Sequence, residues 1–421
     1  LDKFVIRGGK KLVGEVEISG AKNASLALMP AALLAPGKSV FLNTPELNDV
    51  YTMIKLLNYL GVESSFENHK LELNTSGVNN YDAPYEHVKK MRASVYVLGP
   101  LLSRYGEAKV SLPGGCAWGP RPINLHIEGL KRMGAEITLE EGYILAKANR
   151  LKGAKINFDI PSVGATGNIL MASVLAKGTT IINNAAMEPE ITNLAEYLVS
   201  MGARISGINT ASLEIEGVDE LAPAEVQTIP DRIEAGTVLT AAALTRGKVK
   251  LLNVKSCHLN SVLIKLEDSG CNVNNINGIV ELDASQNNII ATDVVTSPFP
   301  GFPTDMQAQW TAYMALAKGV SSVTDSIYLD RFKHVPELQR LGADISVNEN
   351  RAVVKGVNKL KGAKVMSTDL RASACLVLAG LAAEGITEVL RVYHLDRGYQ
   401  KIEEKLKAIG ADIERVEGRE Y

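Results

Sequence analysis

The chain has 421 residues, 46% of them hydrophobic, and a formal net charge of -2. That length exceeds what a single core usually fills and predicts two domains, while the near-neutral charge argues against a general nucleic-acid or membrane-surface binder. Cys116, Cys257, Cys271 and Cys375 form no Cys-x-x-Cys pair and no zinc-type spacing with histidine, so neither a disulfide framework nor a metal site is expected.

In chain order, Phe4 to Arg7 alternates like a strand, with no apolar signal core. The run from Ala24 to Ala35 contains Ser25 and Pro30 and is too short to cross a bilayer. A soluble, cytoplasmic protein without membrane insertion is expected. From there one pattern repeats six times: a helix ends in a glycine and a short strand follows, at Gly61, Gly134, Gly202, Gly270, Gly342 and Gly410, spaced by 68 to 73 residues. Glycine suits the left-handed helix cap that such a junction needs.

Upstream of each glycine lies a second helix of small and apolar residues: 24–34, 93–102, 165–176, 235–244, 306–317 and 372–383. None contains an acidic residue, and a helix without a polar face belongs inside. Each unit then reads as buried helix, glycine, strand, loop, outer amphipathic helix, glycine and alternating strands. Three units make a domain of ordinary size. The expected domains are 22–229, and 1–21 with 230–421, the first strand pairing within the second.

Polar residues collect at two edges of the repeat. Before the buried helices stand Lys22 and Asn23, Arg92, Ser162 to Gly164, Asp231 and Arg232, Thr304 and Asp305, and Asp369 to Arg371. Between strand and outer helix stand Asn48 and Asp49, Cys116 to Arg121, Glu188 and Glu190, His258, Tyr328 to Arg331, and His394 to Arg397. If the inner helices run parallel, their N-termini present unpaired N–H groups on one face, and these cations add an anion site in the cleft between domains. Asp231, Asp305 and Asp369 also read as simple helix caps. The loop Leu112 to Pro122 holds three glycines and three prolines, a composition for holding Cys116 out over a site, with Arg121 favouring its thiolate.

Gly20 to Asn23, Leu112 to Pro122, Pro230 to Glu234, Phe302 to Gln309, Thr368 to Ser373 and Asp396 to Tyr399 resemble the motifs of the UDP-N-acetylglucosamine 1-carboxyvinyltransferase family. The resemblance runs from Phe4 to Glu417. It implies an α/β fold, the two-domain inside-out α/β barrel of enolpyruvyl transferases, with six repeated units and an active site in the interdomain cleft. It implies transfer of the enolpyruvyl group of phosphoenolpyruvate to the 3'-hydroxyl of UDP-N-acetylglucosamine, with phosphate released, as the first committed step of peptidoglycan synthesis, and no cofactor.

By the same resemblance, Cys116 is the general acid and the target of the epoxide fosfomycin, and Asp305 is the base. Lys22, Arg121 and Arg397 clamp the phosphate with Asn23 beside them, and Arg331 and Arg371 face the carboxylate. Asn23, Arg92, Arg121, Pro122, Ile123, Asn124, Leu125, Ser162, Val163, Gly164, Asp305 and Ile327 hold the nucleotide sugar. His126 and Asp369 form a second tier, joined on position in the repeat by Asp49, Glu188, Glu190 and Arg232. Trp118 and Pro120 depart from the smaller or aliphatic residues commoner in the family, and residues 326–330 differ from its usual pattern. The alternatives are the sister transferase that uses shikimate 3-phosphate, which lacks the cysteine loop, and a non-enzymatic clamp-like ring, disfavoured by apolar inner helices. The oligomeric state stays open.

Overall fold

The computed structural model describes residues 2–89, 91–112, 123–286 and 288–417. The chain forms two compact units, Gly20–Ile229 and Leu1–Ser19 with Pro230–Tyr421. Among the described residues the strands are arranged in six four-stranded sheets. Every sheet has one parallel pair at an edge followed by two antiparallel pairs. The parallel edge strand always comes from the neighbouring repeat.

In the 20–229 unit these exchanges close a cycle. Asp82–Ala83 pairs with Glu107–Ser111, Lys155–Asn157 with Thr179–Asn183, and Glu225–Gln227 returns to Lys38–Leu42 in the first repeat. The other unit needs the N-terminus to close its own cycle. Lys3–Arg7 lies between Ile386–Leu390 and Asp412–Val416, and Val13–Glu17 adds the parallel edge to Lys248–Leu252. The first strand therefore lies within the last repeat.

The helices lie where apolar composition places them. In Arg232–Leu244 every residue from Ile233 onward is buried, and in Leu370–Ala382 every residue from Arg371 to Leu381 is. All six junction glycines adopt positive φ, between 90° and 108°, a region where a side chain would be strained. Beyond Gly134, Gly342 and their equivalents the hairpin strands bury alternate residues, as in Lys70–Asn74 and Ile279–Asp283.

Two inner helices start differently from expectation. The segment expected as one helix over 93–102 is a 3-10 turn, Arg92–Val97, running into Leu98–Tyr105. The cause is Asn168, whose Nδ2 donates to the Val95 carbonyl at 2.9 Å while its Oδ1 accepts from the Gly99 N–H at 2.8 Å. That amide sits between the carbonyl and N–H that an α-helix would join directly. A Cβ on Gly99 would lie 2.6 Å from Asn168 Oδ1, so the insertion requires glycine. The second case is Thr304–Met306, a 3-10 turn ahead of Gln307–Met314.

Candidate active site

In the second unit the starts of the inner helices are capped unequally. Asp231 accepts from the N–H groups of Ile233 and Glu234 at 2.8 and 3.0 Å, and Asp369 from those of Arg371 and Ala372 at 2.9 and 3.1 Å. Both are ordinary N-caps. Asp305 differs, because the 3-10 turn that carries it turns its carboxylate toward two guanidiniums. Arg331 Nη2 reaches Oδ1 at 2.8 Å and Arg371 Nη2 reaches Oδ2 at 3.0 Å. The arginine side chains are each 8% exposed and Asp305 26% exposed. Removing one partner from so enclosed a group leaves a charge that water reaches poorly.

Further bonds hold the arginines in place. Arg371 Nη1 donates to the Tyr399 hydroxyl at 3.1 Å, and that hydroxyl also meets Thr237 Oγ1 at 2.9 Å and Gln309 Nε2 at 3.2 Å. Burial alone would lower the Arg371 pKa, but Asp305, Tyr399 and Asp231 outweigh it and raise the value. Burial pushes the Tyr399 hydroxyl up, so it stays protonated. Arg331 Nη1 donates to Thr304 Oγ1 at 2.9 Å. Arg397 ends the 3-10 turn Val392–Arg397, which is tied down through the preceding residue: Asp396 takes two bonds from Arg415, at 3.0 and 2.6 Å. Arg232 stacks over the Phe299 ring at 5.7 Å, and Ile327 is 37% exposed on the loop before Arg331.

In the first unit, Lys22 and Asn23 open the helix Lys22–Ala31, and Lys22 Nζ lies 3.7 Å from Asp49 in the first turn of Asn48–Tyr59. Ser162 caps Val163–Ser173 by accepting from the Ala165 N–H. Arg92 begins its 3-10 turn, and Ile123, Asn124 and Leu125 lead into Asn124–Arg132. His126 is buried there, and burial first, then the Arg92 charge, lowers its pKa to about 4. The Asn168 amide that splits the 92–105 segment also meets His126 Nδ1 at 3.0 Å. An amide N–H can only donate, so Nδ1 accepts and the neutral ring carries its proton on Nε2. A Cβ on Gly164 would stand 3.2 Å from that Nε2, so the glycine leaves room for the ring. Glu190 is buried and Glu188 half-buried, both close enough to Tyr96 to help raise its pKa after burial itself, and the Tyr96 hydroxyl donates to the Val163 carbonyl at 3.4 Å.

The structure thus brings together Asp305, Arg331, Arg371 and Asp231 on one unit, and Arg92, His126, Val163, Gly164, Glu188 and Glu190 on the other. Cys116, Arg121 and Pro122, with Trp118 and Pro120, lie outside the described residues. Among the described residues, no group of three or more His, Cys, Asp and Glu is placed to hold a metal ion. Reading the residues in sequence missed Thr237, Gln309, Asn168 and Asp325. For Thr237, Asn168 and Gln309 the signal is a polar side chain in an apolar inner helix, where burial demands bonding partners; Asp325, just past the strand Val320–Thr324, carries no such mark.

The family model described as EPSP synthase (3-phosphoshikimate 1-carboxyvinyltransferase) matches residues 6–406. A UDP-N-acetylglucosamine 1-carboxyvinyltransferase of Chloroherpeton thalassium is 58% identical over 99% of this chain and 97% of its own length. One from Geotalea uraniireducens is 54% identical over 99% of this chain and all of its own. Among solved structures, the enolpyruvyl transferase NikO from Streptomyces tendae superposes with a TM-score of 0.89 at 24% identity, covering 99% of both chains. EPSP synthase from Acinetobacter baumannii superposes with a TM-score of 0.77 at 19% identity, over 99% of this chain and 100% of that one. These two likenesses establish the enolpyruvyl transferase fold alone. With near-complete coverage at more than half identity, the chain belongs to the UDP-N-acetylglucosamine 1-carboxyvinyltransferase family, within the enolpyruvyl transferases.

Proposed function

We propose that the chain transfers the enolpyruvyl group of phosphoenolpyruvate to the 3'-hydroxyl of UDP-N-acetylglucosamine and releases phosphate, the committing step of peptidoglycan synthesis. The observation that carries the chemistry is the Asp305 carboxylate held between Arg331 and Arg371. Two enclosed guanidiniums already grip one carboxylate, and phosphoenolpyruvate carries another. On binding, the substrate carboxylate takes over those donors and Asp305 is released toward the acceptor hydroxyl. A carboxylate gripped by two cations is a weak base, so its release also raises its basicity at the moment it is needed.

Asp305 then accepts the proton of the 3'-hydroxyl, whose oxygen bonds to C2 of phosphoenolpyruvate while Cys116 gives a proton to the methylene C3. The resulting ketal returns a proton from its C3 methyl to the Cys116 thiolate and expels phosphate, which re-forms the double bond on the transferred group. Lys22, Asn23, Arg121 and Arg397 hold the phosphate as its charge grows. Each charge-assisted bond contributes about 1.5 to 3 kcal/mol. Asn23, Arg92, residues 121–125, Ser162, Val163, Gly164 and Ile327 hold the nucleotide sugar, with neutral His126 as packing and N–H donor rather than as a proton shuttle at neutral pH. The roles draw on residues of both units.

No helix among the described residues is long and apolar enough to cross a membrane. Both proposed substrates are multiply charged and do not cross bilayers unaided, which supports a cytoplasmic site of action.

The test is phosphate release from phosphoenolpyruvate with either UDP-N-acetylglucosamine or shikimate 3-phosphate as acceptor. Release that needs the nucleotide sugar, and that stops as Cys116 gains one fosfomycin mass, is the expected result. Release with shikimate 3-phosphate instead would assign the chain to the sister activity.

A further inference from the structure

We infer that Thr304 and Asp325 are positioning residues for Arg331, and that they act through one directed hydroxyl. The inference rests on the role proposed above for Arg331 in reading the carboxylate of phosphoenolpyruvate. Asp325 lies at the end of the strand Val320–Thr324 and is completely buried. Its Oδ1 accepts from Thr296 Oγ1 at 2.9 Å and from the N–H groups of Ile327 and Tyr328 at 3.0 and 2.9 Å. Its Oδ2 accepts from Thr304 Oγ1 at 2.7 Å, and Thr304 Oγ1 in turn receives Arg331 Nη1 at 2.9 Å.

The direction of this chain follows from what each group can do. A guanidinium has only donors, so the Thr304 oxygen accepts from Arg331 and its proton points to Asp325. With its hydrogen committed, the hydroxyl presents a lone pair to Nη1, while Asp305 takes Nη2 of the same guanidinium. Both arms of the fork are therefore fixed before substrate arrives. When Asp305 gives up Nη2, the Thr304 bond alone among these two remains to hold the plane of Arg331 in register. Asp325 also fixes the turn that carries Ile327 and leads to Arg331, so one buried carboxylate sets the backbone and the side chain of the same loop.

The test is steady-state kinetics and thermal unfolding of Thr304→Ser, Thr304→Val, Asp325→Asn and the Thr304→Val/Asp325→Asn double variant beside the wild type. Serine keeps the hydroxyl. Valine keeps the shape and deletes the acceptor, and should raise KM for phosphoenolpyruvate about tenfold while leaving KM for UDP-N-acetylglucosamine unchanged. Asparagine keeps an oxygen for the Oδ1 partners and places an N–H toward Thr304, which reverses the direction of the bond and should raise the same KM. The double variant should fall no further than the worse single variant, because both changes break one chain. Wild-type KM for phosphoenolpyruvate in Thr304→Val would overturn the inference. So would equal losses in Thr304→Ser, multiplied losses in the double variant, or a parallel rise in both KM values that tracks a lower Tm. A wild-type enzyme that releases no phosphate with UDP-N-acetylglucosamine would instead overturn the proposed function, and this inference with it.

Discussion

Asp231, Asp369 and Asp305 occupy equivalent places at the starts of three inner helices, yet they do different things. The first two are held by the N–H groups of their own helices, and the third faces Arg331 and Arg371. The difference lies in how each helix begins. Asp231 and Asp369 directly precede regular helices, whereas Asp305 lies within the 3-10 turn Thr304–Met306. A repeated scaffold supplies three similar carboxylates, and one local irregularity turns one of them from its helix toward two guanidiniums.

The largest effect that would break this contrast is on turnover. Asp305→Asn should lower kcat by roughly 10²- to 10⁴-fold, the usual contribution of a general base, measured as phosphate release. Undiminished turnover would place Asp305 among the structural caps. Next is stability: Arg371→Met leaves Asp305 with one guanidinium fewer and Tyr399 without its charged donor. It should cost about 3 kcal/mol in denaturant unfolding, at the low end for a broken buried pair because Asp305 keeps a quarter of its surface.

The third effect extends the comparison to a buried histidine in each unit, His126 in one and His334 in the other. His126 has its pKa lowered to about 4, and His334, buried beside Arg331, to about 3. Both lie below the unfolded value of 6.5. Between those values the unfolded chain binds more protons, so stability is full above pH 6.5 and is lost as pH falls toward 4 for His126 and 3 for His334. The His126 share is about 3 kcal/mol at most, and His126→Gln should flatten that part of the stability profile. A profile that kept its full slope would show that the ring is not a buried neutral group. The smallest effect belongs to a cap: Asp231→Ala should cost about 1 kcal/mol of stability by thermal unfolding, with far less effect on turnover than the Asp305 substitution.

Much of the scaffold was legible in the residues because burial and caps leave local marks. The six junction glycines all take the left-handed conformation that their place after a helix demands, and the acid-free segments are the buried helices. The strand exchanges were not legible, since pairing Glu225–Gln227 with Lys38–Leu42 joins residues far apart in sequence. The candidate site was read in part. Motif resemblance pointed to Asp305, Arg331 and Arg371, but sequence left Asp305 readable as a cap, and nothing local marks a 3-10 turn there. Asn168 and Asp325 escaped because their roles are three-dimensional: one amide serves Val95, Gly99 and His126, and one carboxylate serves Thr296, Thr304 and the 327–328 backbone. The loop with Cys116 lies outside the described residues, so its assignment rests on resemblance and on the labelling test above.

The most direct measurement is the affinity of Asp305→Ala for phosphoenolpyruvate alone, by titration calorimetry beside the wild type. If Asp305 holds the seat that the substrate carboxylate takes over, its removal should tighten binding, by about tenfold, even as turnover collapses. Equal or weaker binding would contradict that exchange and leave Arg331 and Arg371 as structural partners of Asp305.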